Sequence, residues 1–186
     1  MTGQAACPAP VSGSVASGSA TLRAAAWPVM ISLAVAGCVP FGPSGPDSYR
    51  DTDAPIGATT RFDAADFAGD WVLVASFDPI RQGVVAFRHD ADRQTLTLTS
   101  DVIAERAGVY DISRAGVLRD PADPEGTLVV MWVDEAFRTA ALGTVAGDFG
   151  VVLNRGNDTP GDRAAAAREV LAFYGWDISR LKRTFP

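Results

Sequence analysis

His89 is the only histidine in the chain, so any hydrolytic triad would have to use it as the base. It stands in His89-Asp90-Ala91-Asp92, a string that favours a turn at a strand end, where a solvated histidine is expected. One histidine also excludes the paired histidines of a zinc helix. Cys7 and Cys38 are the only thiols, too few for a zinc ribbon or a multi-disulfide scaffold. The acids Asp120, Asp123 and Glu125 have the charge of a calcium loop, but Pro121 and Pro124 break its spacing and make a turn the better reading. Lys182 is the only lysine and follows no glycine-rich loop, so no phosphate cradle exists. Asn157-Asp158-Thr159 is a formal glycosylation sequon that reads here as a helix cap. With 22 acidic against 16 basic side chains, the net charge of −6 argues against nucleic-acid binding. The inventory therefore points away from an enzyme, and it implies no catalytic residue, metal or cofactor.

Cys38 has a different context. Residues 1–37 carry a single charge, Arg23, and an apolar run extends from Ala24 to Ala36. About 13 residues at 1.5 Å each span roughly 20 Å, short of the roughly 30 Å hydrocarbon core, so the run reads as the apolar region of a signal peptide. Its last residues, Val35-Ala36-Gly37-Cys38, resemble the lipobox of bacterial lipoproteins. In that motif an aliphatic residue and two small ones precede the cysteine that is acylated and becomes residue one. The resemblance implies a signal peptide over 1–37 and a lipid anchor of three acyl chains on Cys38. With Val rather than Asp at residue 39, it also implies sorting to the outer membrane, facing the periplasm. A buried Ala/Val-rich helix carrying an inert thiol is the alternative. The Pro/Gly/Ser string Val39–Pro46 cannot continue a helix and opens a flexible tether over 38–61. The mature chain remains acidic, so it is the acyl chains and not anionic headgroups that would hold it to a membrane.

From Asp70 onward, short runs of β-branched and aromatic residues alternate with turn residues, the spacing of an antiparallel sandwich or barrel. Strands are expected near 70–77, 83–89, 94–100, 107–113, 116–119, 126–134, 138–145 and 148–154. The period then changes. Thr159-Pro160-Gly161-Asp162 offers an N-cap, a proline at the first helical position and an acid in the first turn, and a helix over Arg163–Tyr174 stops at Gly175. Its one apolar stripe must lie on an outer wall, which explains why 148–154 does not alternate cleanly. Eight strands and one late helix suggest a closed up-and-down barrel, although pattern alone does not separate it from a sandwich.

Three strings make the reading specific. Gly69-Asp70-Trp71 resembles the Gly-x-Trp signature of the lipocalins. Asp134-Glu135-Ala136-Phe137 resembles their second motif, with Phe137 where Tyr is common, and Leu153-Asn154-Arg155 resembles the end of their last barrel strand. Gly175–Leu181 is similar to the post-helix segment of the bacterial outer-membrane members. The resemblance implies an eight-stranded antiparallel lipocalin-like barrel over 62–186, with a helix packed outside. It also implies that Arg155 covers Trp71 on the barrel floor, a contact worth roughly 0.5–2 kcal/mol. Gly69 would permit the close approach there.

The same resemblance implies a carrier of a small apolar ligand, of the fatty acid or lysophospholipid class. With Trp71 inward, Leu73, Ala75 and Phe77 share its face. Strand 126–134 supplies either Leu128, Val130 and Trp132 or Val129, Met131 and Val133, and Leu73, Ala75, Phe77, Val130 and Trp132 are the candidate ligand contacts. The alternative is a barrel filled by its own side chains, acting as an interaction or structural module of the envelope.

Overall fold

The computed structural model describes residues 48–157 and 159–184. The signal-peptide and lipobox residues, Val35, Ala36, Gly37 and Cys38, lie outside them.

Eight antiparallel strands follow one another around a closed barrel: β1 (Gly69–Ser76), β2 (Val84–Asp90), β3 (Thr95–Ser100), β4 (Gly108–Arg114), β5 (Val117–Arg119), β6 (Leu128–Val133), β7 (Thr139–Thr144) and β8 (Gly150–Asn154). β1 closes the ring by pairing with both β2 and β8, which removes the free edges a sandwich would keep. Each observed strand starts and ends within two residues of its expected bounds. A short ninth strand, β9 (Lys182–Arg183), pairs with the end of β1. Helix α1 (Ala64–Phe67) precedes the barrel, capped by the Asp63 carboxylate, which accepts from the Ala65 and Asp66 amides. Helix α2 (Gly161–Phe173) lies outside, burying Ala167 and Leu171.

Two apolar layers result. Nineteen interior side chains, from Phe62, Phe67 and Trp71 to Val151 and Leu153, form one cluster inside the barrel. A second cluster joins the outer face of β1, β6, β7 and β8 to α2 and the segment after it. β8 is buried at every position because it is covered on both faces. Trp176 lies against that outer wall over Gly143 and Gly150, which oppose each other across β7 and β8. A Cβ on either would stand 2.5 or 2.4 Å from the indole, so the glycines form its slot.

The tether boundary needs correction. Residues 48–61 are not free: Tyr49 donates its amide to Gly147 O at 2.7 Å, and Thr59 donates to Val130 O at 2.9 Å. Arg50, 6% exposed, pins this strap by donating to the carbonyls of Tyr174, Val145 and Ala54. Burial lowers the Arg50 pKa, and Asp51 partly offsets the effect. A composition rich in Asp, Ala and Thr concealed a segment held by one buried guanidinium and by backbone hydrogen bonds.

Candidate functional site

At the floor, β1 begins with Gly69 at φ 113°, a left-handed conformation, and a Cβ there would stand 2.7 Å from Arg155 Nη1. Arg155 Cζ lies 3.9 Å from the centre of the Trp71 ring. Its guanidinium donates to the carbonyls of Asp70 (3.0 Å), Asp66 (3.0 Å), Phe67 (3.1 Å) and Ala68 (2.9 Å), and through Nε to Phe137 (3.2 Å). Trp71 is fully buried and donates its indole N–H to Phe67 O at 2.9 Å. The structure therefore brings Gly69, Trp71, Phe137 and Arg155 together. Burial pushes the Arg155 pKa down and Asp70 opposes it, yet a guanidinium stays charged in proteins.

Asp134 organises the neighbouring turn. Its carboxylate accepts from the amides of Arg138 (2.5 Å) and Thr139 (2.6 Å) and from Arg138 Nε (3.3 Å), with Arg163 of α2 at 3.7 Å. Burial alone would raise this carboxyl, but the donors outweigh it and hold its pKa below the ordinary carboxylate value. Phe137, at φ 50°, occupies the tight position of the turn.

The antiparallel order puts the loops 77–83, 101–107, 120–127 and 145–149 at the opposite end, the mouth. There Ile103, 1% exposed, belongs to the interior cluster, and the turn Ala104–Arg106 lies above it. Arg106 makes a 2.8 Å ion pair with Asp148 and sits over the Phe149 ring at 5.0 Å. Asp148 also accepts from the Thr144 hydroxyl at 2.5 Å. Burial would raise Asp148, and Thr144 with Arg106 reverses that and lowers its pKa. Tyr110 donates to Arg106 O at 2.8 Å, and its phenol is pushed up to about 12 by burial and by Asp120. Composition and spacing gave no sign of this latch, because Arg106 and Asp148 are 42 residues apart.

The candidate ligand contacts divide. Leu73 and Val130 point into the barrel. Ala75, Phe77 and Trp132 lie in the outer layer, contrary to expectation. β1 carries a bulge between Leu73 and Ala75 and β6 one between Val130 and Trp132, and an extra residue in a strand inverts the facing of all that follow. Hence β6 turns Leu128, Val130 and Val133 inward, a set that mixes the two expected alternatives. The interior is also full. Leu73, Leu96, Leu118, Leu128, Val130 and Val151 are all 0% exposed, so no water-sized void touches them. His89 stands at the end of β2 opposite Leu96, as expected, but it is half-buried rather than solvated, and its Nε2 is buried with no hydrogen-bond partner. Asp120 and Asp123 accept from amides of their own loop, as turn acids do.

No protein-family model matches the sequence, and no curated protein does. Solved structures do. A siderocalin, Ex-FABP, described as functioning through dual ligand specificities, matches at 11% identity with a TM-score of 0.52, over 65% of this chain and 95% of that one. Lobster apocrustacyanin A1 matches at 15% identity and a TM-score of 0.47, over 71% of this chain and 89% of that one. Apocrustacyanin C2 gives the same identity and coverage, 15%, 71% and 89%, with a TM-score of 0.46. The fold is a lipocalin fold. Within it, the three sequence motifs map to the floor, where they lock strands together.

On this lipocalin fold lies an apolar cavity that the sequence did not foretell. It measures about 250 Å³ and lies on the outer wall, between β1 and β8 on one side and α2 and β9 on the other. Its apolar sides are Val74, Val152, Ala164 and Leu181.

Proposed function

We propose that this protein is a lipid-anchored lipocalin-type binding module of the bacterial envelope, taking a small apolar ligand of the fatty acid or lysophospholipid class. The observation that carries the reading is the barrel interior, which is apolar from the Trp71 floor to the Ile103 plug. Its anchor would be acylated Cys38, and its place the periplasmic face of the outer membrane. Because the interior side chains fill their own space, a ligand reaches it only when segment 101–107 and its Arg106–Asp148 latch give way. A twelve-methylene tail would gain of order 10 kcal/mol on burial, against association entropy and the repacking it forces.

The test is titration of residues 39–186 with fatty acid and lysophospholipid, following Trp71 fluorescence. Saturable change supports the reading, and its absence for every acyl-chain ligand removes it. A specific observation favours a second reading in that event. An interior in which every cluster side chain except Phe62 is 0–2% exposed is what a filled-barrel interaction or structural module needs.

A further inference from the structure

We propose that the outer-wall cavity between α2, β9 and the β1–β8 face is a separate binding site, and that its ligand is a short acyl chain with a carboxylate head. Three observations converge there. The first is the cavity itself: about 250 Å³, bounded by Val74, Val152, Ala164 and Leu181. At roughly 30 Å³ per water-sized group it accommodates a chain of about eight carbons. The second is its charge. Among the described residues, Arg168 and Arg183 line it and no acidic residue does, so an anionic head is matched and a cationic one is not. Arg168 is held in place by donating one N–H to Ile178 O at 3.1 Å, which leaves its other donors available.

The third observation is an unmet polar group. The sequence places Thr159 as the N-cap of α2, but the structure starts the helix at Gly161, with Pro160 as the N-cap and no side chain capping it. The first amides of α2 are therefore uncapped by any side chain, at the positive end of the helix dipole. Thr159, which would have served them, lines the cavity instead, and its Oγ1 has no hydrogen-bond partner. A buried hydroxyl left unpaired is costly, and a carboxylate accepts its hydrogen. Apolar walls, two guanidinium groups, an unsatisfied hydroxyl and a helix N-terminus thus meet around one cavity. Together they recognise an amphiphile with a carboxylate head and have no use for a neutral one. The site is reached from solvent without opening the barrel, so its occupancy is independent of the mouth latch.

The test uses residues 39–186, octanoate and octanol, with calorimetry for affinity and amide chemical shifts for position. Octanoate is expected to bind saturably and to shift Gly161, Ala164 and Leu181, with octanol at least tenfold weaker. Arg183→Glu is expected to weaken octanoate at least tenfold, Thr159→Val several-fold, and Ala164→Phe to abolish binding by filling the space. Circular dichroism of each variant confirms an intact fold, and Arg183→Glu, on an exposed position, keeps the test decisive if Ala164→Phe fails to fold. Equal affinity for octanoate and octanol, or octanoate binding unchanged in Arg183→Glu and Thr159→Val, overturns the proposal. Shifts confined to interior residues such as Leu73 and Leu142 also overturn it while leaving the barrel carrier standing. No saturable binding of octanoate, with longer acyl ligands still altering Trp71 fluorescence, overturns the outer site alone.

Discussion

Arg155 and Asp134 use charge to tie chain segments that are distant in sequence. Arg155 spends its donors on five backbone carbonyls from two segments while its face lies on Trp71. Lysine cannot replace it, since a single ammonium lacks both the fork and the flat face. Arg155→Lys is expected to cost about 2–3 kcal/mol in urea unfolding and to change Trp71 emission. Retained stability would mean that the carbonyls find water instead. Asp134 carries a pH signature. Its folded pKa lies below the unfolded value of about 3.9, so its contribution is complete above that value and is lost as pH falls through the folded pKa. Asp148 has the same sign. Asp134→Asn should therefore destabilise by roughly 1–3 kcal/mol at pH 7 and reduce the slope of stability against pH below about 4. An unaltered acid limb in the variant would place that proton uptake elsewhere.

At the scale of elements, period-2 and period-3.6 patterns in the sequence were enough for eight strands and the late helix, while their closed order followed from the resemblance of three motifs. They failed where one residue changes phase. A bulge has no signature in composition, and the bulges in β1 and β6 sent Ala75, Phe77 and Trp132 from the expected interior to the outer wall. The floor was legible through the motif resemblance that Gly69, Trp71 and Arg155 carry, residues whose sterics and charge few others supply. The mouth was not, because the Arg106–Asp148 pair depends on a loop whose path no local rule dictates. Trp176 belongs to the same group. Its place is set by two glycines on β7 and β8 that a linear reading treats as strand weakeners. Gly150→Ala would put a methyl 2.4 Å from the Trp176 ring and 2.9 Å from Phe77. It is expected to cost about 1–3 kcal/mol and to move the post-helix segment off the wall, read as a lower Tm and a red-shifted tryptophan emission. A wild-type Tm would show that the indole slides aside without loss.

For the whole molecule, the question is how a barrel packed to core density could admit a ligand. Interiors of that density are not compressible, so a chain enters only by exchange of one packed arrangement for another. The mouth is where such an exchange is least costly. Its cover is a single turn held by one part-buried ion pair, one exposed pair between Arg81 and Asp101, one tyrosine hydrogen bond and the Ile103 side chain, whereas the floor is tied by Arg155 to five carbonyls. Arg106→Ala removes the ion pair and the cation over Phe149 while leaving Ile103 and the barrel wall intact. If the interior is the carrier site, opening the cover limits association. The variant should then bind a long-chain fatty acid at least tenfold faster in stopped-flow Trp71 fluorescence, with a stability loss of only about 1–3 kcal/mol. The equilibrium constant should tighten by the same factor that the closed state had held back, because a protein whose competent form is rare binds more weakly by that fraction. An association rate and affinity equal to wild type would mean that ligands do not pass the mouth. The packed interior would then be a structural core, with binding left to the outer wall.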